Sequence, residues 1–234
     1  MKMRKLTGLS CWIHWQVLSM KKITLKEDIP LEMLLELKKA VYPINNYITT
    51  ELTLKFIDKL EAVFRNTPDI AGKILPSDVK ALREYYSNQN VNSNGYDFIA
   101  PIPLKESKGK KKKTPDIPEL NVSFPNITAE IKANIPYEKT KYGSSQKTGL
   151  KKDVRGLREP EKKQKDKHDP ANDYKFLVVL YYKSGEYNSD CAVDDLIKDL
   201  TKDRDVIDIE KVNLDNPQKI TKEKIYIVML DCDG

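Results

Sequence analysis

Two nearly continuous apolar runs constrain the fold of this chain more than any other feature. They are YKFLVVLYY at residues 174–182 and KIYIVML at residues 224–230. A strand with one face in water alternates apolar and polar residues, whereas a strand covered on both faces reads as an unbroken apolar run. Between the two runs, CAVDDLIKDL after Asp190 has a helical pattern with a candidate N-cap. The sequence therefore predicts an α/β fold with a central sheet covered by helices.

The chain before residue 90 reads as a helical N-terminal region. Leu31–Val41 follows a proline, which is common at helix starts. Thr50 is a candidate N-cap for a second helix, and Ser77 is one for a third. Apolar residues recur at helical spacing in the last two segments: Leu52, Phe56, Leu60 and Val63, then Val79, Leu82 and Tyr86. We expect three parts: an extension at 1–19, a helical region at 20–90 and a core at 91–234. The extension precedes Met20, which is a plausible initiator methionine.

Composition excludes several classes of protein. The three cysteines form no CxxC pair, and their odd number argues against a disulfide framework. Two histidines are too few for a histidine-rich metal cage, and His168 lies in the polar stretch KDKHDP, where we expect it to be solvated. The chain has no run of 18 apolar residues, and His14 and Gln16 interrupt the apolar part of its first 19 residues. These features predict a cytoplasmic protein without a membrane-spanning helix.

The positive charge is concentrated in the middle of the chain. The whole chain has a formal charge of +6, but residues 105–175 contain 19 Lys and Arg against 11 Asp and Glu, a net charge of +8. The rest of the chain has a net charge of −2. Part of this excess is the low-complexity basic loop 105–113, KESKGKKKK. A localised excess of Lys and Arg is compatible with a nucleic-acid partner.

The segment Ile127–Ile135, ITAEIKANI, alternates as a strand with one buried face. Alternate side chains share a face, so the isoleucines and alanines form the core side. Glu130 and Lys132 then project together from the other side. Leu120–Phe124 also has the pattern of a strand, and the Pro125-Asn126 pair between the two segments predicts a hairpin turn. Pro115-Asp116 stands fourteen residues before Glu130.

Pro-Asp, a spacer and then Glu-x-Lys resemble the active-site motif of the PD-(D/E)XK nuclease superfamily, which includes many type II restriction endonucleases. The expected order of helix, three strands, helix and strand also resembles the core of that family. The resemblance covers about residues 74–230. It implies a restriction-endonuclease-like core, a mixed central sheet flanked by helices, and a Mg²⁺-dependent endodeoxyribonuclease that hydrolyses double-stranded DNA, in particular a site-specific type II enzyme acting as a homodimer.

The resemblance also implies roles for individual residues. Asp116, Glu130 and the Ile131 carbonyl would hold Mg²⁺, a hard cation that prefers oxygen ligands, with Mn²⁺ as a substitute. Lys132 would orient water and stabilise developing charge. The second carboxylate stays open: a tight hairpin would leave Asp116 beyond the strand pair. Glu119 and Asp97 are therefore rivals, and Glu84 is the candidate for an extra helix carboxylate. No organic cofactor and no membrane partner are expected.

The helix expected after the Glu-x-Lys strand is the candidate DNA-binding element. In the resembled family this helix often supplies polar groups to the active site and to backbone phosphates. The matching positions are Gln146, Lys147, Lys151, Lys152, Arg155 and Arg158. Lys and Arg side chains supply the part of DNA affinity that does not depend on sequence.

Two alternative functions remain open. A repair, phage or mobile-element nuclease would share the fold and the active-site motif. A non-catalytic nucleic-acid-binding protein would use the basic middle third electrostatically and would tolerate substitution of Glu130. Carboxylates among lysines argue against the second alternative, because they repel phosphate unless a metal ion lies between them.

Overall fold

The computed structural model describes residues 31–88, 96–102, 117–137, 139–160, 168–202 and 208–231, without the side chains of residues 31–40 and 42. The chain divides into two compact units, Met1–Pro43 and Ile44–Gly234. The described part of the first unit is helical throughout. The predicted extension at 1–19, the basic loop 105–113 and Asp116 lie outside the described residues.

The described chain contains four α-helices and seven strands. The helices are α1 (Leu31–Phe64), α2 (Pro76–Ser87), α3 (Ser144–Arg158) and α4 (Ser189–Lys202). The strands are β1 (Phe98–Ala100), β2 (Ile127–Lys132), β3 (Tyr174–Leu180), β4 (Lys183–Ser184), β5 (Tyr187–Asn188), β6 (Ile209–Lys211) and β7 (Ile225–Leu230). None of the described helices is long and apolar enough to cross a membrane.

Five strands form one mixed sheet in the order β1-β2-β3-β7-β6. β1 runs antiparallel to β2, and the other neighbouring pairs are parallel. β3 and β7 are central, and all seven residues of β3 are buried. The two apolar runs therefore form central strands, as predicted, because helices cover both faces of the sheet.

Two separate cores lie on the two faces of the sheet. On one face, buried residues of α1 and α2, among them Phe56 and Leu82, pack against Ile127, Phe176 and Tyr226. On the other, apolar side chains of α3 and α4 pack against alternate residues of the same strands. The fold class predicted from the sequence is confirmed as an α/β protein with a mixed sheet flanked by helices.

The helical prediction differs from the structure at the helix starts. Thr50 does not cap a helix, because α1 is continuous through Pro43 and the Thr50 hydroxyl donates to the carbonyl of Asn46 at 2.9 Å. Ser77 is not a cap either. α2 begins at Pro76, and the Asp78 carboxylate accepts the backbone N–H of Leu75 at 3.0 Å. A proline in the first turn has no N–H to leave unpaired, which favours this earlier start.

The predicted hairpin between residues 120 and 135 is wrong. Residues 120–124 do not form a strand, because residues 121–124 form a turn, and β2 ends at Lys132. The side-chain carbonyl of Asn121 accepts the backbone N–H of Ser123 at 3.0 Å, and the Asn121 backbone carbonyl accepts that of Phe124 at 2.8 Å. Asparagine favours such local turns over strand pairing. The antiparallel partner of β2 is β1, which lies earlier in the chain.

Candidate active site

β2 places three polar side chains in a row on one face of the sheet. Ile127, Ala129 and Ile131 point into the core formed with α1 and α2, as the alternation predicts. Thr128, Glu130 and Lys132 therefore project to the opposite face, where α3 lies against the sheet. Thr128 and Glu130 are buried and Lys132 is partly exposed, so the row becomes accessible only at the carboxyl end of the strand.

Asp97 is the carboxylate that the fold brings to this row. It directly precedes β1, whose first residue, Phe98, pairs with Ala129, so Asp97 lies opposite Glu130. The Asp97 carboxylate accepts the backbone N–H of Ile131 at 2.8 Å and the Lys132 ammonium at 3.2 Å. Asp97 is only 4% exposed, so these two bonds hold a buried charge in place.

The Lys132 ammonium lies among three carboxylates from three different elements. Its Nζ atom is 2.8 Å from Glu130 Oε2, 3.2 Å from Asp97 Oδ2 and 3.3 Å from Asp153 Oδ2. Asp153 belongs to α3, on the helix face that carries Leu150, Val154 and Leu157. We name these four residues, Asp97, Glu130, Lys132 and Asp153, the lysine–carboxylate cluster.

The cluster carries more negative than positive charge. Three ionised carboxylates around one ammonium have a net charge of −2. Burial raises the pKa of Glu130 from 4.5 to about 8, although Lys132 opposes this shift. Burial also raises the pKa of the Asp153 carboxyl. Burial alone would lower the pKa of Lys132, but the three neighbouring carboxylates raise it above its ordinary value. The lysine therefore stays charged, and burial favours the protonated form of Glu130.

The predicted rival carboxylates have different positions. Asp97 is in the cluster, and Glu84 and Glu119 are exposed. Within the described part of the chain, no hydrogen bond or ion pair joins Glu84 or Glu119 to Lys132. Asp153 was not predicted. The available signal was an acidic residue beside the apolar stripe of a helix that follows the Glu-x-Lys strand.

Three of the predicted DNA-binding residues of α3 contact neighbouring parts of the chain. Gln146 accepts the backbone N–H of Gly143 and donates to the carbonyl of Ile135, both at 3.1 Å, which fixes the start of α3 to the chain after β2. Lys147 pairs with Asp195 at 2.7 Å and with Asp199 at 2.8 Å, both on α4. Lys151 lies 3.6 Å from the same Asp199 carboxylate. These contacts join α3 to its neighbours in the protein.

The other three predicted DNA-binding residues lie on the outer surface of α3. Lys152, Arg155 and Arg158 are exposed, and Arg158 lies 3.9 Å from Glu159. They follow one another at helical spacings of three residues, which places them along one side of the helix. The exposed side of α3 is therefore basic.

His168 is only partly exposed and is bonded within the protein, contrary to the prediction that it is solvated. Its Nε2 atom lies 2.6 Å from Asp173 Oδ2 and 2.9 Å from the Thr128 hydroxyl, which itself donates to Asp173 at 2.5 Å. The ring of Tyr96 meets the imidazole edge-on at 6.1 Å. Pairing of β2 with β3 causes this arrangement, because it brings Asp173, just before β3, to Thr128 at the start of β2. The polar sequence around His168 gives no sign of that pairing.

The donor chemistry of the cluster suits a hard divalent cation. It offers carboxylate oxygens, one such ion would neutralise the charge of −2 that the cluster has when all three carboxylates are ionised, and the Lys132 ammonium already stands in as a cation among them. As placed, however, no group of three or more His, Cys, Asp or Glu residues in the described ranges is arranged to hold a metal ion. The residues fit Mg²⁺ by chemistry and charge, while the lysine occupies the space between them.

Comparisons of the chain with protein-family models, with curated proteins and with solved structures found no match.

Proposed function

We propose that this chain is a Mg²⁺-dependent endodeoxyribonuclease of the PD-(D/E)XK type, with a restriction-endonuclease-like core. The observation that carries the proposal is the geometry of Asp97, Glu130 and Lys132. Two buried carboxylates, one directly before β1 and one on its antiparallel neighbour β2, meet one lysine, and a single residue of β2 separates the second carboxylate from the lysine. In this proposal Asp97 takes the role that the sequence motif assigns to Asp116.

Three residues of the cluster, Asp97, Glu130 and Lys132, would have a chemical role in phosphodiester hydrolysis. Asp97, Glu130 and the Ile131 carbonyl would hold Mg²⁺, which when bound neutralises phosphate charge and lowers the pKa of a water molecule. The Ile131 N–H holds the Asp97 carboxylate in position. The Lys132 Nζ donates hydrogen bonds to the phosphate oxygens as negative charge develops on them. The exposed Lys152 and Arg155 would contact backbone phosphates.

Plasmid cleavage tests the proposal. Wild-type protein with Mg²⁺ or Mn²⁺ should convert supercoiled DNA to nicked and linear forms, and EDTA should prevent this. Asp97→Asn, Glu130→Gln and Lys132→Met should each lower the rate at least a hundredfold. Glu84→Gln is the matched control, because Glu84 is an exposed carboxylate, and it should cleave at the wild-type rate.

Asp116→Asn decides between the two candidates for the second carboxylate. We expect Asp116→Asn to cleave normally and Asp97→Asn to be inactive, with both variants giving the wild-type circular dichroism spectrum. The reverse result would return the role to Asp116. Wild-type rates for both Asp97→Asn and Glu130→Gln would reject the lysine–carboxylate cluster as the active site.

Digestion of unmodified genomic DNA separates the possible nucleases of this fold. A site-specific type II restriction endonuclease, our first choice, gives discrete and repeatable fragments, and cutting of both strands favours a homodimer. A repair, phage or mobile-element nuclease gives a smear or requires a particular DNA structure.

A non-catalytic nucleic-acid-binding protein is the second candidate. It is favoured by the observation that Lys132 already neutralises part of the carboxylate charge and that no metal-binding group is preformed in the described residues. This candidate predicts DNA binding that weakens steeply with salt, no cleavage with any divalent ion, and unchanged binding by Glu130→Gln.

A further inference from the structure

The Lys132 ammonium fills the space in which a divalent cation would meet the carboxylates. An ammonium group has three N–H donors, and Lys132 has three carboxylate acceptors within 3.3 Å. The oxygen atoms that it contacts on Asp97 and Glu130 belong to the carboxylates proposed as metal ligands. The lysine therefore uses the same negative charge that would attract the metal ion.

We propose that Lys132 competes with the divalent cation for these carboxylates, so that metal binding requires the ammonium to leave the cluster. Two cations a few ångströms apart repel each other, and the carboxylates cannot satisfy both at full strength. This inference rests on the proposed function, since it concerns the metal site of the same cluster. It also accounts for the lack of a preformed metal-binding group among the described residues.

The Lys132 side chain can move out of the cluster toward solvent. It is 23% exposed, whereas the side chains of Asp97 and Glu130 are 5% and 8% exposed, so Lys132 is more accessible to solvent than the two carboxylates proposed to bind the metal. Lys132 is the last residue of β2, and its four-carbon stem is flexible. Outside the cluster, a DNA phosphate is the natural new acceptor for the ammonium.

Coupling between metal and DNA follows from this exchange. When a phosphate receives the ammonium, the carboxylates are left with uncompensated charge and bind the metal more tightly. By thermodynamic linkage, the metal must then increase DNA affinity by the same factor. The lysine would keep the site poor in metal until substrate is present.

Metal binding without DNA tests the competition directly. Mn²⁺ is the probe, and free Mn²⁺ is followed by electron paramagnetic resonance during titration of the full chain. Lys132→Met removes the competing charge, and we expect it to lower the Mn²⁺ dissociation constant about tenfold or more. Lys183→Met is the matched control, because Lys183 is exposed in β4, and it should bind Mn²⁺ as the wild type does.

Lys132→Gln is a second variant that tests the same point if Lys132→Met does not fold. Glutamine keeps a hydrogen-bond donor for the carboxylates but carries no charge, so it should also tighten Mn²⁺ binding. Unchanged or weaker binding by the folded Lys132 variants would overturn the competition while leaving the nuclease proposal intact. Absence of Mn²⁺ binding in every form, wild type included, would overturn both. Tighter binding by both variants without plasmid cleavage by the wild type would support the competition and reject the nuclease.

Discussion

Replacing Glu130 with glutamine should stabilise the protein at alkaline pH. Glu130 is buried, and burial raises its pKa to about 8 from an ordinary value of 4.5. A carboxyl whose pKa is raised in the folded state favours folding at low pH, because the folded state retains a proton that the unfolded chain releases. The stability of the wild type should therefore fall as the pH rises from about 4.5 to about 8, and this contribution should level off above that range.

The expected size of the effect comes from the same shift. One pKa unit corresponds to about 1.4 kcal/mol, so the titration of Glu130 contributes about 4 kcal/mol between pH 5 and pH 9. Glutamine has almost the same shape and does not ionise, so Glu130→Gln lacks this contribution. The variant should gain about 4 kcal/mol of unfolding free energy relative to the wild type over that interval.

Urea denaturation in EDTA at pH 5, 7 and 9 measures this change. Each variant is compared with the wild type at the same pH, so other titrating groups largely cancel. Glu84→Gln, which replaces an exposed carboxylate on α2, should show no comparable pH-dependent difference. An equal free-energy difference between Glu130→Gln and wild type at pH 5 and pH 9 would show that Glu130 titrates normally, which would refute the reasoning.

Two further predictions concern contacts that support the site. The Tyr86 hydroxyl donates to the carbonyl of Ile99 and accepts its N–H, both at 2.8 Å. Tyr86→Phe leaves these two buried backbone groups unpaired, so it should lower the unfolding free energy measured in urea by about 1–3 kcal/mol. A decrease below about 0.5 kcal/mol would contradict this. Lys147→Ala removes ion pairs with Asp195 and Asp199 and should cost about 0.5–1 kcal/mol at low salt and less in 1 M NaCl. A loss that does not change with salt would show that packing, and not charge, is responsible.

The sequence alone predicts those features of the fold that depend on the pattern of neighbouring residues. The apolar runs at 174–182 and 224–230 predict buried central strands, because only a strand covered on both faces can be apolar throughout. Alternation in Ile127–Ile135 separates Glu130 and Lys132 from the core residues beside them. These predictions depend on periodicities of two and 3.6 residues, which neighbouring residues alone define.

Features that depend on strand pairing could not be predicted in the same way. Asp97 meets Glu130 only because β1 pairs with β2 across more than twenty-five intervening residues, and a turn at Asn121 replaces the nearer partner that the pattern favours. Asp153 enters the cluster through packing of α3 on the sheet. His168 contacts Thr128 because β2 and β3 are parallel neighbours. In each case a contact distant in the sequence decides the position of a polar side chain.

The hydrogen bond from the Ile131 amide to Asp97 bears on how far the connection between β1 and β2 can vary in length. Asp97 is fixed by this hydrogen bond and by the pairing of β1 with β2, so the covalent connection from β1 to β2 does not determine where the carboxylate lies. Doubling the length of a connecting loop costs only about 0.6 kcal/mol of closure entropy. If residues 105–113 form the basic loop that the sequence predicts, we expect insertions or exchanges there to leave the Asp97 carboxylate in place. The sequence of this segment could therefore change, in evolution or by design, without a change in the proposed active site.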